Sequence, residues 1–145
     1  MAFDRRVAGL MVLRIFLGAF YISIGVSKYR WFVDTSFLAR QLAGWEKSAA
    51  PGSISAQYLH QLALPYTSVW ARLVPLGELS TGLAMITGFW TPAFASLAFF
   101  MALNFHVASG LMFTATLLTN GYGLPVLGGT LALAMGGVRL PWSVR

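Results

Sequence analysis

Apolar positions in this chain gather into three long runs and a shorter fourth, with polar residues concentrated between them. The first run, residues 7–27, reads VAGLMVLRIFLGAFYISIGVS, with Arg5 and Arg6 before it and Lys28 and Arg30 after. Residues 69–90, 92–113 and 123–138 form the other three. A helix needs about 20 mostly apolar residues to cross a bilayer. The pattern therefore predicts an all-α, polytopic membrane protein, a bundle of four transmembrane helices within a single domain, 1–145. An even number of crossings puts both termini on one side. Thr91 is placed to cap the third helix and Pro92 to occupy its first position, so the preceding turn should be tight. Thr119-Asn120-Gly121 supplies turn chemistry, and Pro125 opens the last span. The first run could pass for a signal peptide. Arg14 lies inside it and no small-x-small site closes it, so a retained helix is expected.

Residues 28–68 have a different texture. Asp34-Thr35-Ser36 can start a short helix with Phe37, Leu38, Leu42 and Trp45 on one face and Arg40, Glu46 and Lys47 on another. Ala50-Pro51-Gly52-Ser53 should break it. Tyr58, Leu59 and Leu62 then suggest a second amphipathic piece ending at Pro65. This is the pattern of helices lying in the membrane interface. A lid packed on the end of the bundle is the simplest expectation. A gate over a lipid-soluble ligand, or a docking surface for a partner, is the functional alternative.

Composition narrows the class further. Hydrophobic residues make up 57% of the chain and charged ones 10%, against about a quarter charged in a typical soluble domain. A disordered chain and a soluble enzyme are thereby excluded. The net charge of +6 is spread singly along the sequence, without the clustered basic face that nucleic acid requires, and reads as contact with anionic lipid headgroups. There is no cysteine, which removes disulfides, thiolate metal sites and cysteine nucleophiles. No metal site and no catalytic residue is expected. Basic residues flank both sides of the predicted bundle, so charge alone does not orient it.

The chemistry rests on a few polar residues at membrane depth. Arg14 falls about 5 Å from the middle of the first span. A charge at that depth must face the bundle and find an acceptor. Of the four acidic residues, only Glu78 lies within a span, so elimination predicts an Arg14–Glu78 pair. Arg14, Gly18, Tyr21, Gly25 and Lys28 follow spacings of four, three, four and three and line one stripe of the first helix. Glu78, Thr81, Gly82 and Met85 form a matching stripe on the second, with Pro75 and Gly77 expected to loosen the helix before the acid. Arg14, Tyr21, Lys28, Glu78 and His106 are thus candidates for binding a quinone or a lipid headgroup. Either the pair locks two helices, or it binds a polar group and handles protons. His106 and Asn104 should face different sides. A helix-to-helix hydrogen bond is the first expectation for His106, a quinone carbonyl the second, and axial ligation of haem or chlorophyll the third. His60 should be solvated. Gly18, Gly25 and Gly82, together with Gly128, Ala132 and Gly136 on the last helix, are expected to let helices approach closely.

The runs LRIFLGAFYISIGVSK and PLGELSTGLAMITGFWTPAFASLAF, with a glycine-rich last span ending in LALAMGGV, resemble the DoxX/DoxD family of small four-helix membrane proteins. Arg14, Lys28 and Glu78 match the family's charged positions. The resemblance implies cytoplasmic termini, an extracytoplasmic first loop and a home in the cell (inner) membrane. It also implies company with redox enzymes, since the family includes small subunits of a thiosulfate:quinone oxidoreductase. The first loop is longer here than that pattern suggests, and the tail RLPWSVR is basic rather than acidic.

Two functions follow as expectations. One is a non-catalytic membrane subunit of a respiratory or photosynthetic redox complex, contacting lipid, quinone and partner subunits, with its polar site at Arg14/Glu78. The alternative is a DoxX-type subunit that takes part directly in quinone binding and proton handling. Nothing in the sequence supplies an electron carrier, which favours the first slightly. A transporter ranks third, because four spans without a repeat leave little material for alternating access.

Overall fold

A computed structural model describes residues 5–137 and 140–144, with the side chain of Arg5 left aside. The predicted end of the fourth span at residue 138, and Arg139 and Arg145 of the terminal-side charges, lie outside the described residues. Among the described residues every regular element is helical. Helix α1 runs Arg5–Ser27, α2 Ser36–Ser48 and α3 Ile54–Tyr58, the last continuing into a wider π-type turn, Leu59–Ala63. Then come α4 (Thr67–Thr87), α5 (Thr91–Ala108), the short α6 (Thr116–Thr119) and α7 (Leu124–Gly136).

Two stretches, Arg6–Ser27 and Thr91–Ala108, are long and apolar enough to cross a membrane. Helix α4 has the length, 21 residues, but carries Arg72 and Glu78. At 13 residues, α7 is about 20 Å long, shorter than a typical hydrocarbon core.

Chain punctuation sets the helix ends. Gly88 closes α4 at φ +75° and Gly110 follows α5 at φ +77°, left-handed conformations that glycine adopts without a Cβ penalty. The third apolar run therefore stops being α-helical at Ala108 rather than near Phe113. Trp90, not Thr91, occupies the cap position of α5 at φ 41°, and the Thr91 hydroxyl makes no capping bond. Pro92 does sit in the first turn, as its missing N–H allows.

The four longer helices form a closed ring in which α1 packs on α4, α4 on α5, α5 on α7 and α7 back on α1. Their shared core includes Leu17, Tyr21, Met85, Ala95, Ala98, Leu127 and Leu133. A second apolar cluster, Leu38, Leu42, Leu59 and Ala63 against Ala71 and Ala108, seats the α2–α3 segment on one end of the ring. Ser55 Oγ donates to the Val107 carbonyl at 2.7 Å and Tyr58 OH donates to Asn104 Oδ1 at 2.5 Å, tying the segment to the end of α5. The ring of Trp45 meets Phe105 edge-on at 5.2 Å. A lid is what these contacts make, and the break at Ala50–Gly52 falls where the sequence puts it.

Candidate functional site

Both predicted stripes turn inward. Arg14, Gly18, Tyr21 and Gly25 are buried and Lys28 is partly so, while Glu78, Thr81, Gly82 and Met85 are all buried on α4. The two helices run antiparallel at close range. A Cβ on Gly18 would come within 3.0 Å of the Gly82 carbonyl, and one on Gly82 within 2.7 Å of the Ile22 amide. Gly25 lies against Leu79 and Glu78 in the same register.

That register corrects the expected ion pair. Glu78 pairs with Lys28, its Oε1 accepting from the Lys28 ammonium. Arg14 comes level with Gly88, where a Cβ would lie 2.1 Å from its Nη1. Ten residues of α4 separate Gly88 from Glu78, about 15 Å along the helix, beyond the reach of one side chain. Elimination among acids misled because Arg14 is held by neutral acceptors. Its Nη1 donates to Ser143 Oγ at 2.8 Å and its Nη2 to the Trp142 carbonyl at 3.3 Å. Arg14 and Glu78 therefore belong to two sites, one at each end of the α1–α4 seam.

At the lid end, the Lys28 ammonium sits over the Trp31 ring at 5.5 Å, a contact that adds to its attraction to Glu78. Glu78 Oε2 and Thr81 Oγ1 are buried without hydrogen-bond partners. Tyr21 OH donates to the Ala98 carbonyl at 2.9 Å, so the phenol is spent on joining α1 to α5. The helix continues unbroken through Pro75, and Gly77 makes room for the sulfur of Met101 rather than for a hinge.

His106 is buried, and its Nδ1 must carry the proton it shares with the Ala102 carbonyl at 2.6 Å, since a carbonyl can only accept. This bond lies within α5, not between helices. Its Nε2 has no partner. Asn104 points elsewhere, to Tyr58, as their spacing predicts. Among the described residues no group of three His, Cys, Asp or Glu side chains is arranged to hold a metal. His60 is exposed, with Nδ1 3.3 Å from Glu46.

On α7 two of the three expected packing positions face outward. Gly128 has nothing within 4 Å of a Cβ and Ala132 is exposed. The close approach to α1 is made by Gly136 of that stripe, against Leu10, and by Gly129, one position off it, against Leu13 and Leu17. The α5 stripe that the apolar pattern concealed is Thr91, Ala95, Ala98, Ala102 and His106, all buried, at spacings of four, three, four and four. Those spacings are visible in the sequence, but alanines in so apolar a helix do not stand out.

Outside the apolar helices, burial pushes the Tyr58 phenol up. The Ser36 amide and hydroxyl hold the Asp34 carboxyl below the usual aspartate range.

The family model for DoxX matches residues 9–121. The chain belongs to the DoxX family. No curated protein and no solved structure matches it significantly. Membership of this membrane-associated family, with two apolar helices of spanning length, makes it a membrane protein. Arg14, Lys28 and Glu78 all lie within the DoxX match, whereas Trp142 and Ser143, which hold Arg14, lie beyond it.

Proposed function

We propose that this DoxX protein crosses the cell inner membrane four times, with cytoplasmic termini, and serves as a small non-catalytic subunit of a respiratory or photosynthetic redox complex. The aromatic residues support four crossings. Trp31, Trp45 and Trp70 gather at the lid end of the ring and Trp90 and Trp142 at the other, as in the belts that mark the two faces of a bilayer. In this reading α7 spans by local thinning of the bilayer, a modest cost for a short helix. The α2–α3 lid lies in the opposite interface.

One observation carries the subunit reading. Gly18 and Gly82, the gaps where a flat ring could have approached the charged stripe, are closed by each other's helix. With Tyr21 also spent on Ala98, the Lys28–Glu78 pair is a lock between helices rather than the floor of a cleft. The unpartnered Glu78 Oε2 favours the alternative, direct quinone binding with proton handling. His106, whose free Nε2 is a lone pair while Nδ1 carries the proton, suits the metal of a pigment rather than a quinone carbonyl. The purified protein is expected to show no saturable affinity for a quinone analogue and to co-purify with a larger redox enzyme from native membranes under mild detergent. Saturable quinone binding that disappears in Glu78→Gln, with the fold intact, would replace the subunit reading with the alternative.

A further inference from the structure

Among the described residues, the end of the ring opposite the lid holds a buried cation without an anion. Arg14 is 1% exposed, and a guanidinium stays protonated in any protein setting. A buried charge is costly unless it is paired, and charge-assisted bonds to an oxyanion are what offset that cost. Among the described residues Arg14 bonds two neutral oxygens of the tail, and its Nε has no partner. The protein has gone to some length to bring it there. At Gly88 any other residue would place a Cβ on the guanidinium, and the carbonyl end of α4 beside it favours a cation.

Next to this guanidinium lies a cavity of about 730 Å³, lined by Gly88, Trp90, Thr91, Gly137, Trp142 and Ser143 among others. Thr91 is 2% exposed, and its hydroxyl, like Arg14 Nε, is buried without a partner. Thr91 also begins the 18-residue helix α5, whose first amides and dipole favour negative charge. An unpartnered hydroxyl and a helix N-terminus thus border one cavity, and Trp142 and Ser143, the tail residues that bond Arg14, form part of its wall.

We propose that this cavity is a phosphate-type oxyanion site, in which Arg14 and Thr91 hold the anion and residues 140–144 act as a strap that yields Arg14 to it. The Ser143 hydroxyl and the Trp142 carbonyl stand where phosphate oxygens go. The anion is a phospholipid headgroup or a free phosphate, the chemistry being the same. The site does not depend on the redox-subunit reading and would stand if that reading failed.

The test uses the full chain, purified and reconstituted in nanodiscs of phosphatidylcholine alone or with phosphatidylglycerol, and titrated separately with inorganic phosphate. The thermal midpoint and the lipids retained in native mass spectrometry are read in wild type, Arg14→Gln, Thr91→Val and Ser143→Ala. Saturable stabilisation by either probe is expected, weakened about tenfold or more in Arg14→Gln, as loss of a charged hydrogen-bond donor predicts. Thr91→Val should weaken it several-fold, and Ser143→Ala, which removes the competing acceptor, should tighten it. Stabilisation by phosphatidylglycerol alone identifies a headgroup; stabilisation by inorganic phosphate identifies a free anion. Equal response of wild type and Arg14→Gln to both probes overturns the proposal. If Arg14→Gln does not fold, unchanged binding in both Thr91→Val and Ser143→Ala overturns it as well.

Discussion

Lys28 and Arg14 are two cations on one stripe of α1, fourteen positions apart, and the fold treats them differently. Lys28, at the lid end, meets the carboxylate of Glu78 and the face of Trp31. Arg14, at the terminal end, meets a hydroxyl and a carbonyl from the far end of the chain. The first arrangement pairs opposite charges across the α1–α4 seam, with Glu78 Oε2 left unpartnered. The second joins a helix to a tail, leaves Nε unpartnered and borders a cavity. A cation that meets an anion is a lock, and one held by neutral oxygens beside a cavity is a candidate for exchange with a ligand.

The largest expected effect comes from breaking the lock. Glu78→Gln should destabilise the detergent-solubilised protein by about 3 kcal/mol, because removing one partner strands a largely buried ammonium. Adding Lys28→Met should recover part of that loss, while adding Arg14→Met should simply sum with it, since distant sites without shared partners are additive. Thermal melts of the double-mutant cycles decide the matter, and coupling of Glu78 to Arg14 instead of Lys28 would refute the register described here.

The seam between the two sites should be nearly as sensitive. Gly82→Ala drives a methyl against the Ile22 amide and the Gly18 carbonyl, and overpacking of this kind costs about 1–3 kcal/mol. Gly128→Ala, on the outward face of α7, should be neutral or stabilising by up to about 1 kcal/mol through helix propensity. Equal losses at the two glycines would mean that α7 is rotated from its present phase.

Ser143→Ala removes one acceptor from Arg14 and should cost about 1 kcal/mol without added anion, since the Trp142 carbonyl remains. A loss as large as that of Glu78→Gln would erase the distinction between lock and strap. Smallest is the effect of Asp34, which accepts from the Ser36 amide at 2.9 Å where α2 begins. Its carboxyl titrates below the ordinary aspartate value of about 4, so its contribution is present above that pH and fades as pH falls through the lowered value. Hydrogen exchange in the first turn of α2 should quicken over that acid range in wild type and be pH-independent, apart from intrinsic chemistry, in Asp34→Ala.

Apolar runs, breakers and three-four spacing determined the helical class, the lid and the inward stripes on α1 and α4. Those depend on local periodicity, which a chain carries in its own order. The same spacing put Asn104 and His106 on different faces. What only the tertiary structure decided was which inward residue meets which. The antiparallel register of α1 on α4, fixed by Gly18, Gly25 and Gly82, gives Glu78 to Lys28 and carries Arg14 about 15 Å away along the helix. Counting acids could not reveal that, because the oxygens that take Arg14 belong to residues 128 and 129 positions later in the chain. Nor could it reveal which glycine of the Gly128-Gly129 pair packs inward. A rotation of one residue, 100° of helix, changes a face without changing the pattern, and only the neighbouring helices choose between them.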